Sequence, residues 1–401
     1  MHNAWSYVSK DNQKSVVDFI RRKLVLGGAF YVSYNTPSGK WAKLAPVREL
    51  MKLYHDRAVI RADESASKIK NTINFMSRMI EGNPSLRQSS QLADEMSYIK
   101  NSDAFDTDRE YFSDCWELSS FSDMTDILSE AKLSFSCHGE LLENLDTLFL
   151  KNESIAFLND ITDPLLKEMT RDFLSDHHHR ADIWAKGART LNWVERTQAL
   201  SHLKFILPNH VSTIDLEVTF PAGKSILQND IYVPLLDCLA ENNYTPKSAD
   251  DLVNYHQLRH LNRGKILDAL IVLMSINYIY PTQSEKKVEQ AKYKTNALNG
   301  YLLEQAVHID TIHHLASPVT GGGINVSRIH QLFLLARLEE VSSPDEWASL
   351  AWQLISQQDQ VLMIENNKIN SPEEGLILLK AMAHEFADKK LPILKALGIA
   401  D

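Results

Sequence analysis

Cysteine is scarce. Three occur in 401 residues, Cys115, Cys137 and Cys238, far apart and odd in number. That excludes a disulfide framework and a cysteine-built zinc site, and it predicts a reducing, cytoplasmic compartment. Long hydrophobic runs are missing as well. None approaches the ~18 apolar residues that cross a bilayer. Met1-His2-Asn3-Ala4-Trp5 lacks the basic and apolar segments of a secretory signal. No membrane partner is expected. Positive charge is in deficit: 42 Lys and Arg stand against 52 Asp and Glu, a net charge of −10. A global electrostatic case for nucleic-acid binding is therefore absent.

Also lacking is a glycine turn in the order strand, glycines, helix that lets a backbone approach a nucleotide. Gly27-Gly28 follows a helical pattern and precedes a strand. Gly321-Gly322-Gly323 follows no clear strand and reads as a helix–helix connection. Convergent metal ligands are wanting too. His177-His178-His179 has no partner at four-residue spacing, and neighbours on a helix point about 100° apart. The run reads as a solvated helical turn. His308, His313 and His314 form no His-Glu-x-x-His helix, Ser317 sits in no nucleophile elbow, and Ser327 reads as a helix cap. No metal site and no catalytic side chain is assigned.

Apolar residues are present in quantity, at 44% of the chain, with 8% aromatic and 23% charged. This supports real cores in roughly two to three domains. Ser9 caps a helix carrying Asp11 in its first turn and the stripe Val16, Phe19, Ile20, Leu24. Gly27-Gly28 stops it, and Ala29–Tyr34 follows as a buried strand, half of a crossover unit in a parallel sheet. A helical region begins at Pro46, with stripes Val47, Leu50, Met51, Tyr54 and Ile69, Ile73, Met76, Ile80. Phe121, Met124, Ile127 and Leu128 form a helix face behind a Ser120 or Ser122 cap. Leu133–Cys137 alternates as a strand, and a second strand is expected within 146–158. Ile214, Leu216, Val218 and Phe220 alternate as a β-ribbon. Helices near 229–241, 247–256 and 262–275 and a strand at Tyr278–Tyr280 outline a winged helix. Residues 288–401 read as helical.

Three segments carry a family resemblance. His2-Asn3-Ala4-Trp5-Ser6-Tyr7-Val8-Ser9 resembles the segment closing the fourth strand of certain class I S-adenosylmethionine-dependent methyltransferases. Asp18–Arg22 with Gly27-Gly28, then Tyr31–Asn35 with Pro37 and Trp41, resembles their next helix, fifth strand and following loop. Leu315–Val319, the glycine loop and Val326-Ser327-Arg328 resemble a C-terminal signature of the same family. The family is the methyltransferases with a methyltransferase regulatory domain, similar to bacterial protein-lysine methyltransferases of outer-membrane proteins.

The resemblance implies an α+β, mostly α architecture in five parts. Residues 1–44 and 116–158 form a partial Rossmann-like methyltransferase sheet, interrupted by a regulatory and dimerising helical insert at 45–115. A winged-helix middle domain covers 159–285, and an all-helical C-terminal domain covers 286–401. It assigns His2 and Trp5 to the S-adenosyl-L-methionine cofactor and Tyr34, Asn35 and Trp41 to the substrate. The alternative for Trp5 and Tyr34 is packing alone. A protein (lysine) acceptor and a homodimer are implied, the latter through the exposed face of helices 46–80. The winged helix is expected to contact protein. The chain is expected to be truncated at the cofactor site and not to bind S-adenosylmethionine measurably in isolation. A non-catalytic regulatory or substrate-binding module is the alternative.

Overall fold

The structure, a computed structural model, describes residues 1–57, 65–102, 107–356, 363–364, 367–368 and 372–401. The chain divides into two units, Met1–Thr190 with Phe220–Gly223, and Leu191–Thr219 with Lys224–Asp401.

In the first unit the Ser9 side chain accepts from the Asn12 N–H and starts α1 (Lys10–Lys23), as its place before an amphipathic stripe predicts. Strand β1 (Ala29–Asn35) follows. Helix α2 (Trp41–Arg57) begins five residues before the expected start, so Pro46 lies inside it. The reason is the turn at Gly39: the Leu44 N–H already bonds to the Lys40 carbonyl at 3.0 Å, and Trp41 is drawn into a core. Helices α3 (Ser65–Gly82) and α4 (Ser90–Asn101) complete the insert. Its core holds Trp41, Met51, Ile69, Met76, Met96 and Phe112, with Ile73 packed against it. Ile69 and Ile73 thus face the insert's own core rather than outward. A single π-helical turn, Asp108–Phe112, leads back to the sheet.

Helix α5 (Phe121–Ser129) carries a full capping box between Ser120 and Asp123. Strand β2 (Leu133–His138) follows. The expected strand within 146–158 is helical instead, as one turn at Asp146–Phe149 and α6 (Asn152–Asn159). Short apolar runs such as Leu148-Phe149-Leu150 fit either state by periodicity. After α7 (Pro164–Leu174) comes β3 (His179–Lys186), which pairs antiparallel with both β1 and β2 and is the central strand. The sheet therefore continues past the expected boundary at 158. The expected parallel neighbour relation fails as well, since β1 and β2 run the same way but are separated by β3. Met1 alone gives β1 a parallel bridge: its amino group donates to the Tyr31 carbonyl at 2.6 Å and Ser33 N–H donates to the Met1 carbonyl at 2.9 Å. The face of the sheet covered by α1 and α5 buries Trp5, Ile20, Val32, Phe121, Leu128 and Trp184.

In the second unit α8 (Trp193–Ser201) precedes β4 (Lys204–Ile206); β5 (Glu217–Phe220) forms a hairpin with β6 (Gly223–Ile226), whose tip Phe220–Gly223 is counted with the first unit. Helix α9 (Asn229–Tyr244) ends in effect near Glu241, because Asn242 and Asn243 turn left-handed at φ 56° and 55°. Strand β7 (Lys247–Ser248), α10 (Ala249–Val253), α11 (Arg263–Ser275) and β8 (Tyr280–Pro281) follow. β4 lies between β7 and β8. The last third holds α12 (Glu285–Gln305), α13 (Arg328–Leu338), α14 (Pro344–Ser356), α15 (Pro372–Glu385), a π-turn at Phe386–Lys390 and α16 (Leu391–Ala396).

That region is not all helical. Strands β9 (His314–Ser317) and β10 (Gly322–Asn325) pair as an antiparallel hairpin, so the glycine run is a turn and strand, not a helix connection. Gly321 supplies the left-handed residue at φ 74°. The hairpin is fastened by Asn299, whose amide bonds both the N–H and the carbonyl of Ala316, and by Ser317 Oγ donating to the Leu397 carbonyl. Ser327 caps α13 as expected. Among the described residues no helix is long and apolar enough to cross a membrane.

Candidate functional site

A cavity of about 580 Å³ opens at the carboxyl end of β1, entirely within the first unit. That is the end of a strand where open α/β sheets hold their ligands. Its floor is Ser33, Tyr34 and Asn35 with Asn3, Ala4, Ser6 and Tyr7 beside them. The two stretches are tied by backbone chemistry: Asn35 N–H donates to Ser6 Oγ at 2.8 Å and Asn3 N–H to Ser33 Oγ at 2.7 Å. The insert contributes Lys40, Asp94, Glu95 and Tyr98, the π-turn contributes Arg109 and Glu110, and the start of β3 contributes His178 and His179.

The loop after β1 locks against the chain entering β3. Thr36 Oγ1 donates to the His177 carbonyl at 2.8 Å, as does Ser38 Oγ, and Thr36 N–H donates to the His178 carbonyl. Gly39, at φ 57°, sits where a Cβ would approach the His178 nitrogen to 2.8 Å. The histidine run is therefore a strand entry, contrary to its reading as a solvated helical turn. Asp176 turns the chain at φ 55° and β3 begins at His179.

Electrostatics differ along the cavity. On the insert side Lys40 Nζ reaches Glu95 at 2.9 Å and Glu110 at 3.1 Å. Burial alone would lower the ammonium's pKa, but Glu110 and Glu95 hold it above the usual range. Tyr111 donates its hydroxyl to Glu95. On the β3 side His179 is pushed down to about 4, first by burial and then by the neighbouring His178 and His2, so it is neutral. Its Nε2 is buried without a partner among the described residues. The Asn35 amide nitrogen is likewise buried and aligned with no acceptor, though it lies near enough to the Tyr7 hydroxyl to lower that group's pKa. Burial and then Glu110 outweigh it and raise Tyr7.

Behind the floor lies a buried ionic assembly. Tyr34 donates its hydroxyl to Asp182 at 2.6 Å. Arg180, fully buried, bonds Asp182 at 3.0 Å, Asp172 at 2.6 Å and Glu168 at 3.0 Å. His138 contacts Glu168 at 3.3 Å, Glu143 at 3.4 Å and Asp182 at 3.6 Å, and His177 contacts Glu143 at 3.1 Å and Asp172 at 3.5 Å. Burial would depress both imidazoles, but these carboxylates win. His138 is raised, by Asp182 and Glu168 above all, and His177 is pushed up to about 9 by Asp172 and Glu143. Burial opposes ionisation of Glu168 and Asp182, yet His138 and Arg180 hold both below the usual carboxylate range.

Of the expected site residues, Tyr34 and Asn35 line the cavity together. Trp41 does not. It is buried against Trp116 and Tyr111, with the Lys40 ammonium 4.7 Å above its ring. Trp5 is fully buried in the sheet core, its carbonyl accepting from Gln13. His2 is exposed and stacks on Tyr31, whose hydroxyl meets its Nδ1 at 2.8 Å. Lys40, Glu95 and Glu110 share no motif in the sequence, because they lie in the turn before α2, in α4 and in the π-turn, while the histidine run is a visible signal whose helical reading gives way to a strand entry.

Residues 109–186 match the family described as "Predicted methyltransferase regulatory domain". The span runs from the π-turn arginine to the end of β3, so it contains the whole ionic assembly except Tyr34. The chain is 30% identical, over all 401 of its residues, to "Uncharacterized protein sll1526" of Synechocystis, covering 77% of that protein. Its fold is similar to that of PKMT2 from Rickettsia typhi in complex with AdoHcy, at a TM-score of 0.67 and 17% identity, over 99% of this chain and 80% of that one. A second structure of PKMT2 from the same organism gives 0.62 and 16%, over 100% and 80%. The chain belongs to the methyltransferase-like family that carries the methyltransferase regulatory domain.

Proposed function

We propose that the chain acts in S-adenosyl-L-methionine-dependent methyl transfer to protein lysine, and that the cavity at the end of β1 is its acceptor slot. One observation carries this reading: Asp94, Glu95 and Glu110 outnumber Lys40 and Arg109 on a cavity that Tyr7 and Tyr98 also line and whose β3 side holds the neutral His179. A lysine arrives charged and must be neutral to act as a nucleophile. The acidic rim favours the charged form and serves capture. The buried floor, with neutral His179 and Asn35, disfavours charge and holds the amine in line. Similarity in fold to a protein crystallised with AdoHcy supports the donor class.

His2 and Trp5 do not by themselves make a cofactor cradle. The indole is enclosed in the core, the imidazole is committed to Tyr31, and neither nearby glycine, Gly27 or Gly28, lies in the cavity. The residues that line the cavity supply the acceptor side. A silent regulatory module is not favoured, because the acidic and aromatic lining is intact. We read β4, β7, β8 and α9–α11 as a winged-helix module for protein contact, and the chain as cytoplasmic.

The test uses the full chain and a lysine-containing peptide, with norleucine replacing lysine as control. Lys40→Met removes the resident cation from Glu95 and Glu110, and Glu95 keeps its bond from the Tyr111 hydroxyl. Affinity for the lysine peptide should rise about tenfold, more at low salt, and Glu110→Gln should lower it. Equal binding of the two peptides to the parent chain sinks the proposal.

A further inference from the structure

A second cavity, about 320 Å³, lies wholly in the second unit, between the chain at Asn209–Thr213, His330 of α13 and the end of α15 with the π-turn after it. That volume is at the lower end for small-molecule sites. A π-turn widens a helix by one residue and is common at functional sites. Here the turn Phe386–Lys390 presents one aromatic ring and two lysines to a single cavity.

The two lysines are not equivalent. Lys389 is neutralised by Glu385 at 2.9 Å. Lys390 has no carboxylate within ion-pair range among the described residues. Its ammonium donates only to neutral acceptors, the Pro208 carbonyl at 3.1 Å and Asn209 Oδ1 at 3.0 Å. A half-buried cation without an anion is costly. Burial lowers its pKa accordingly. Two of its three N–H donors are used, leaving one. Beside it the His330 ring lies 4.9 Å from that of Phe386, tilted by 39°, and makes no ring hydrogen bond among the described residues. Burial, and then the Lys390 charge, push that imidazole down to about 4, so it is neutral and keeps one N–H donor. Met382 and Phe386 supply the apolar wall.

We infer that this cavity binds a small monocarboxylate bearing a short apolar chain. One uncompensated positive charge calls for one negative charge, two spare donors suit the two carboxylate oxygens, and the thioether and ring cover the tail. The site is independent of the β1 cavity and of the function proposed for it.

Hexanoate is the probe, hexanamide its neutral control, and the full chain the receptor in calorimetry. Hexanoate should saturate one site and bind at least ~10-fold more tightly than hexanamide. Lys390→Met keeps the aliphatic stem and should erase that preference. Met382→Trp fills the cavity without touching the charge and should abolish binding of both compounds. It serves as the second variant should Lys390→Met fail to fold. No saturable hexanoate binding, equal affinity for the two compounds, or hexanoate binding unaffected by either variant overturns the inference.

Discussion

Asn35 and His179 face each other across the β1–β3 ladder, and each keeps a buried side-chain nitrogen without a partner beside the same cavity. A buried polar atom without a well-aligned partner costs stability, so replacing the Asn35 amide by an apolar group breaks no bond of the fold. Asn35→Leu, close to isosteric, should leave stability in urea unchanged or raise it by ~1–2 kcal/mol. The same variant should lose affinity for the lysine peptide. A clear loss of stability with full peptide binding would show that the amide serves the fold alone.

Stability should fall on the alkaline side. His177 is raised to about 9 in the folded chain, against ~6.5 when unfolded. Its contribution is fully present below pH ~6.5 and is lost as pH rises through about 9, by up to ~3 kcal/mol. Urea midpoints measured from pH 6 to 9.5 should decline over that window for the parent chain and decline less for His177→Gln, which keeps the raised His138. A parent curve without slope above pH 6.5 contradicts the ion-pair geometry.

Gly39 should tolerate no side chain. Both its left-handed φ and the carbonyl and nitrogen of the 176–178 turn oppose a Cβ. Gly39→Ala should cost ~2 kcal/mol or more, and amide exchange should quicken at Thr36, whose N–H donates to the His178 carbonyl. Unchanged exchange at Thr36 would separate the loop from the strand entry.

The parts of the fold legible in the sequence are those where local chemistry and burial agree. Ser9, Ser120 and Ser327 cap the helices that their spacing predicts, and β1 and β2 stand where apolar residues cluster. Strand β3 was hidden because its interior carries Arg180 and Asp182, which alternation treats as solvent-facing. Both are fully buried, and only the distant partners Tyr34, Asp172 and Glu168 make that tolerable. Pro46 misled for a related reason. A tertiary turn at Gly39 starts the helix before the residue that local propensity favours. The cavity was half visible. Tyr34 and Asn35 lie on a strand end that the motif marks, whereas Glu95 and Glu110 meet only through folding of the insert.

Tyr34 is among the residues that line the cavity, while its side chain is packed in the sheet core and its hydroxyl is committed to a carboxylate of the regulatory segment. Whatever gives or takes a proton among His138, Glu168 and Asp182 also changes how firmly that ring is held. Sensing and shaping would then be one event, read through a single phenol.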